Sequence, residues 1–333
     1  MVAPLAPDTV FLAARLHARR SRMAEGERLD AMCRLKAAGE LFRAGPADGP
    51  AQTVEAFQKR LVSDLARELA ECACRLPPEG ASLCEWLLTR FQVENIKVLL
   101  RGAMTAAPFE TLEPRLVAVR LEPVLDTRAL ASSGSPAGFA ARLPPGSLRA
   151  SLAEAAAMYP AEPRPFLFEA ALDKGYLSEL LVRAARLRNA DDRDAVLPLA
   201  RHEADMFLLS LAARGRFVYD LPPAQLIPLY VPGANLPRRR FLAMLAAAGP
   251  AGTPGTGDAS SAAAAIESAA WTRFADLANR AFRGNHMGIG AVAGYAALRR
   301  IEAANLITLS EGLRRNMDAA AIRRRLIPRR GPE

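Results

Sequence analysis

The chain has 333 residues, a net charge of +9 and 51% hydrophobic side chains, yet only 6% aromatics. That length exceeds what one core usually serves, so two or three folded domains are expected, and the Ala- and Leu-rich, aromatic-poor composition argues against a strand-built fold. The cationic balance suits anionic partners: nucleic acid, acidic headgroups or an acidic protein surface.

Several further features narrow the class. The 25 prolines argue against long uninterrupted helices, so many short helices packed in bundles are predicted. Cys33, Cys72, Cys74 and Cys84 share no zinc-ribbon spacing and are read as free thiols in a reducing compartment. The first apolar stretch is interrupted by Asp8, Arg15 and His17, which does not fit a signal peptide. No run approaches the roughly 18 apolar residues that span a bilayer.

In chain order, Phe11 to Gly45 reads as a helical hairpin, with Leu12, Leu16, Met32, Leu35 and Leu41 set among charges. Val54 to Arg75 is a long amphipathic helix with Phe57, Leu61, Leu65, Leu69 and Cys72 near one face. "RLPPEGAS" breaks it, and Ser82 is a candidate cap for the next helix. That helix runs into "FQVENIKVLLRG", Phe91 to Gly102. At about 100° per residue, Ile96, Val98, Leu99 and Leu100 span one broad apolar arc. Asn95 sits near its middle, and Glu94, Lys97 and Arg101 share the opposite face. A buried amide without partners costs about 1–3 kcal/mol, so Asn95 is expected to bond a backbone group or a polar neighbour and to register two segments.

From about Pro114 to Asp220, short helices alternate with Pro or Gly breaks. From Leu221 comes "LYVPGANLPRRRFLAML", then a low-complexity stretch at about 248–262. Helical pattern resumes at Ile266 and continues to Leu326, with a basic tail beyond Pro328. From Arg299 to the end there are nine arginines against four carboxylates.

Each of the three groups carries one polar residue inside a leucine-rich stripe: Asn95 in "ENIKVLLRG", Asp205 in "EADMFLLSLAARG" and Asn305 in "EAANLITLSEG". Their near-equal spacing predicts three similar helical domains, 1–112, 113–220 and 221–333, each with one structural anchor. The expected fold is all-α.

Catalytic signatures do not assemble. His202 opens "HEADM", the first half of H-E-x-x-H, but Met206 stands where the second zinc-binding His would be. There is no phosphate-binding G-x-x-x-x-G-K-[ST] and no G-x-S-x-G nucleophile elbow. "GIGAVAG", Gly288 to Gly294, lacks the strand that a dinucleotide-binding loop follows, and reads as a helix start with close packing. Glu169 and Asp173, four apart, read as a solvated or packing pair. No catalytic, cofactor-binding or metal-binding residue is assigned, and neither a cofactor nor a small-molecule substrate is expected. Arg238, Arg239 and Arg240, and Arg323, Arg324 and Arg325, form the basic clusters. Neither tract has interleaved aromatics, and no helix-turn-helix or RNA-recognition signature accompanies them, so nucleic acid is not the expected partner.

Together, "CEWLLTRFQVENIKVLLRG", "FEAALDKGYLSELL", "LYVPGANL" and "YAALRRIEAANLITLSEGLRRNMDAAAIRRRLI" resemble the C-type (in eukaryotes, d-type) subunit of V/A-type rotary ATPases, the socket on the central axis. The likeness runs from about Phe11 to Leu326. Asn95, Lys97 and Arg101 follow the family's pattern; Asp205 stands where Asn is usual, and Ile307 where a basic residue is common. The resemblance implies an all-helical funnel of three similar domains about a pseudo-threefold axis. It implies a peripheral, non-catalytic subunit on the cytoplasmic face of the membrane, joining the proteolipid ring to the central rotor shaft and passing torque between ATP turnover and ion transport. Lys97, Arg101, Arg238, Arg239, Arg240, Arg323, Arg324 and Arg325 are the candidate partner contacts. The alternative reading is a basic helical-repeat scaffold for nucleic acid or another protein.

Overall fold

The computed structural model describes residues 8–44, 53–162, 164–247, 259–285 and 287–327. Among them the chain is all-α, with no strand. Three short helices come first: α1 (Thr9–Arg20), α2 (Glu27–Met32) and α3 (Ala38–Ala44). The expected hairpin is thus divided further, because Gly26 adopts φ 51° and starts α2 in a new direction.

Two long helices follow, α4 (Val54–Ala73) and α5 (Pro78–Met104), and then α6 (Phe109–Leu112). Thr53 Oγ1 accepts the Ala56 N–H at 3.1 Å and caps α4. The spacing of Phe57, Leu61, Leu65, Leu69 and Cys72 puts all five on one face, and all five are buried. Ser82 does not cap α5. That helix starts four residues earlier, at Pro78, whose missing N–H falls where no intrahelical partner exists.

The middle of the chain contains α7 (Thr127–Ala131), α8 (Pro136–Arg142), α9 (Ser147–Met158), α10 (Phe166–Ala185), α11 (Ala190–Phe217) and α12 (Pro223–Leu226). The remainder is α13 (Arg238–Ala246), α14 (Ala259–Gly284), α15 (Ile289–Arg314) and α16 (Ala319–Arg323). The helical run expected from Ile266 to Leu326 is broken at residues 285, 287–288 and 315–318. Residues 248–258 of the low-complexity stretch and 328–333 of the basic tail lie outside the described residues.

The prolines do not keep the helices short. Among the described residues, six helices have 20 to 28 residues. Pro78, Pro136 and Pro223 occupy first turns, and Pro77, Pro108, Pro165, Pro222 and Pro237 sit at N-caps, where they cost nothing; Pro198 lies inside α11.

The long helices pack in a closed circuit. α4 lies on α5, α5 on α10, α10 on α11, α11 on α14 and α15, and α15 back on α4. One continuous apolar core runs through all of them. A second cluster joins the two ends of the chain. It combines Leu29, Met32 and Leu41 with Phe57 and Leu61 of α4, Leu306, Leu309 and Leu313 of α15, and Ile322 of α16.

Candidate functional site

The polar anchors are built from α5, α11 and α15. Asn95 is buried on α5. Its Nδ2 donates to the Val117 carbonyl at 2.8 Å, and its Oδ1 accepts the Val117 N–H at 2.9 Å. Asn305 on α15 does the same to Ile327, accepting its N–H at 2.8 Å and donating to its carbonyl at 3.4 Å. In both cases the clasped residue lies 22 positions downstream, so the amide ties the returning chain to the helix it left. A primary amide suits the task because it carries a donor and an acceptor on adjacent atoms.

The return path itself recurs three times. A Cβ on Gly102 would collide with Leu112, one on Gly215 would stand 2.8 Å from Leu226, and one on Gly312 would stand 2.7 Å from Ile322. The turns pass through left-handed residues at Ala106, Asp220 and Asn316. Asp205 departs from this pattern. Asn95 and Asn305 each lie seven residues before their glycine, whereas seven before Gly215 is Leu208, fully buried. Asp205, one turn earlier, instead accepts the Leu236 N–H at 2.7 Å and the Asn235 side-chain amide at 3.0 Å. It holds the approach to α13 rather than the end of the turn.

Lys97 is buried against α10, and Arg101, although exposed, also reaches across to α10. The buried Lys97 ammonium lies 2.7 and 2.9 Å from the two oxygens of Asp173. Arg90 reaches the same carboxylate at 2.8 Å. Burial works against the Arg90 charge, but Asp173 and then Glu94 outweigh it and hold its pKa above the usual range. One turn further along, Arg101 forks onto Glu169, and this bonding raises the guanidinium pKa. Glu169 and Asp173 therefore form the acidic half of an α5–α10 ladder. Both cations are engaged within the chain.

A second charged group is buried between α4 and α15. Arg299 pairs with Glu68 and with Glu302, the Tyr295 hydroxyl donates to Glu68 at 2.6 Å, and Glu302 accepts the Ala24 N–H. Of these residues, sequence patterning touches only Glu302, at the head of "EAANLITLSEG". The one signal available is the i, i+3 pair Arg299 and Glu302 inside an otherwise apolar helix.

The two arginine clusters differ. Arg238, Arg239 and Arg240 open α13 and are all exposed. Arg323 ends α16 and donates to Asp30, at 3.2 Å to Oδ1 and 3.3 Å to its carbonyl, while Arg325 contacts the Met317 sulfur at 3.3 Å. Arg324 is exposed between them.

The profile of the ATP synthase (C/AC39) subunit family matches residues 12–325, nearly the whole chain. The chain belongs to that family. It is thus a component of the V/A-type rotary ATPase class. A search of curated proteins returns no match.

The remaining sequence motifs have structural roles in this C/AC39 family member. Gly288 precedes α15, and Asp192 of α11 accepts the Ile289 N–H at 2.9 Å, capping α15 from another helix. A Cβ on Gly288 would overlap the Asp192 carboxylate, and one on Gly294 would press on the α14 backbone at Ala278 and Phe282. The ring of His202 is buried and its Nε2 lies 2.8 Å from the Ala270 carbonyl. Burial pushes the Cys72 thiol up to about 12 and Cys84 well above its usual value, so neither is a ready nucleophile. No group of three or more potential metal ligands occurs among the described residues, and no described helix is long and apolar enough to cross a membrane.

The six long helices also converge on a cavity of about 30 Å³, lined mainly by apolar residues such as Leu69, Leu87, Leu180 and Phe274. Its charged members, Glu203 and Arg300, pair with each other at 2.8 Å. That volume is about a tenth of what a small-molecule site usually offers.

Proposed function

We propose that this protein is the non-catalytic coupling subunit of a V/A-type rotary ATPase, peripheral on the cytoplasmic face, joining the central rotor shaft to the proteolipid ring. The observation that carries this reading is the family match over residues 12–325. The architecture is in keeping with it. A torque transmitter needs to resist shear rather than perform chemistry. Here long helices are tied to each other by buried ion pairs, as at Lys97–Asp173 and Arg299–Glu68, and to the segment that returns past them by amide clasps, as at Asn95–Val117.

The three-domain division at 1–112, 113–220 and 221–333 belongs to the same proposal. Its support is the thrice-repeated glycine-on-leucine or glycine-on-isoleucine turn after α5, α11 and α15. The circuit of long helices is compatible with a threefold arrangement, one end serving the shaft and the other the ring.

Deletion of the gene tests the function. Cells lacking the protein are expected to retain ATP-hydrolysing head subunits, but inverted vesicles from their membranes should lose ATP-driven ion uptake. Resupplying the full chain should restore it. Normal pumping without the protein contradicts the reading.

A further inference from the structure

This inference rests on the coupling-subunit reading and concerns which face of the protein meets a partner. From Leu221 to Ala247 the chain carries three arginines in a row and no carboxylate. All three are exposed on the first turn of α13, with no acidic residue in that turn. Like charges crowded at the positive end of a helix dipole are mutually unfavourable. The described residues supply no ion pair to them, whereas Arg323 in the other cluster is already paired with Asp30. A fourth exposed arginine, Arg201, lies on α11 one turn before Asp205 and on the same face. Asp205 is the residue that reaches across to Asn235 and Leu236 at the foot of α13.

The platform is held stiffly. Leu236 is gripped on both sides, its N–H by Asp205 and its carbonyl by the Tyr230 hydroxyl at 2.9 Å. Phe241 and Leu245 are buried beneath, and Arg216 donates to the Leu245 carbonyl at 3.0 Å at the far end. No exposed large apolar side chain lies between 221 and 247 that would enter a bilayer or stack on a base. Guanidinium forks pair bidentately with carboxylate or phosphate oxygens, and without an apolar or aromatic neighbour to enter a bilayer or stack on a base, the carboxylates of a protein surface are the partner favoured here.

We propose that Arg238, Arg239 and Arg240, joined by Arg201, form the docking surface for a carboxylate-rich protein surface of the rotary complex. Asp205 is its positioning residue: its two bonds fix where α13 begins and so where the arginines project.

The test uses the full chain rebinding to membranes that carry the rotary ATPase but have been stripped of this subunit. Vesicles of phosphatidylcholine with phosphatidylglycerol serve as the lipid probe. R238E/R239E/R240E should weaken rebinding about tenfold or more and flatten its salt dependence. R323E/R324E should leave it near wild type, and the wild type should not bind the vesicles. Helical circular dichroism and an unchanged unfolding temperature show that the triple variant is folded. D205A should weaken rebinding with all the arginines intact, and that loss should vanish in an R238Q/R239Q/R240Q background. Unchanged rebinding of a folded triple variant overturns the proposal while the coupling-subunit reading stands. Vesicle binding by the wild type that the triple variant loses also overturns it, in favour of lipid. Failure of the wild type to rebind overturns both.

Discussion

Arg299 of α15 donates from Nε and Nη2 to the two carboxylate oxygens of Glu68 on α4, both at 3.1 Å, joining residues 231 positions apart. This fork, with Glu302 holding the Ala24 N–H, fastens the first part of the chain to the last. Burial tends to raise the Glu68 pKa, but Arg299, the Tyr295 hydroxyl and Arg19 outweigh it and hold the carboxyl below its ordinary 4.5.

The sign of the pH effect follows from that lowering. The unfolded chain takes up the Glu68 proton first as pH falls, so its stabilising contribution is complete above 4.5 and is lost as pH falls through the lower folded value. E68Q should therefore be less stable than wild type at neutral pH, and the gap should narrow in acid. Urea unfolding at neutral pH and again below 4.5 measures it. A gap that stays constant would show that the fork makes no pH-linked contribution.

Removing one partner of a buried ion pair leaves the other charge uncompensated, at a cost of about 3–5 kcal/mol. Lys97 and Asp173 are such a pair, but Asp173 also serves Arg90. D173A should thus destabilise more than K97A, and K97M/D173L should recover part of the D173A loss, because Lys97 is then no longer stranded. Equal effects of the two single substitutions would mean that Arg90 gains nothing from Asp173.

The amide clasps should each be worth about 1–3 kcal/mol, because truncation leaves a backbone pair at the returning segment without partners. N95A and N305A are expected to fall in that range, and to do so additively because separate segments are clasped. Hydrogen exchange at Val117 in N95A, and at Ile327 in N305A, should rise locally; unchanged protection would show that the clasps do not hold the returning chain.

Gly102 and Gly312 allow the turn to close on Leu112 and Ile322. G102A and G312A should cost about 1–3 kcal/mol by overpacking. Gly39 in α3 has open space at its Cβ, so G39A should leave stability unchanged or slightly raised. Thermal unfolding of the three variants checks the contrast, and a tolerated G102A would show that Leu112 can yield.

The helical class is legible because apolar spacing such as Phe57, Leu61, Leu65, Leu69 needs no tertiary information. Helix length is not, because a proline count ignores position, and most of the prolines around the long helices sit at starts. The arc rule assigns Lys97 to a polar face because it assumes one wet side. α5 is flanked by α4, α7 and α10, so Lys97 meets the Asp173 carboxylate instead of water, while Glu94 and Arg101 at the edge of the same side stay half exposed. The readable clue is that Lys97 and Arg101 are four apart, as are their partners Asp173 and Glu169. Asp205 matches the asparagines by chemistry, but position relative to the glycine assigns the equivalent place to Leu208. The turn after Gly215 also takes one more residue to reach its left-handed position than the turns after Gly102 and Gly312, which a search for one fixed spacing misses.

The most direct measurement is a mild-detergent purification of the tagged full chain from its own cells, with retained partners identified by mass spectrometry. Co-purification of ATP-hydrolysing head subunits together with a small proteolipid is the predicted result. Recovery of nucleic acid or of unrelated proteins alone, with neither the head nor the proteolipid, would contradict the coupling role.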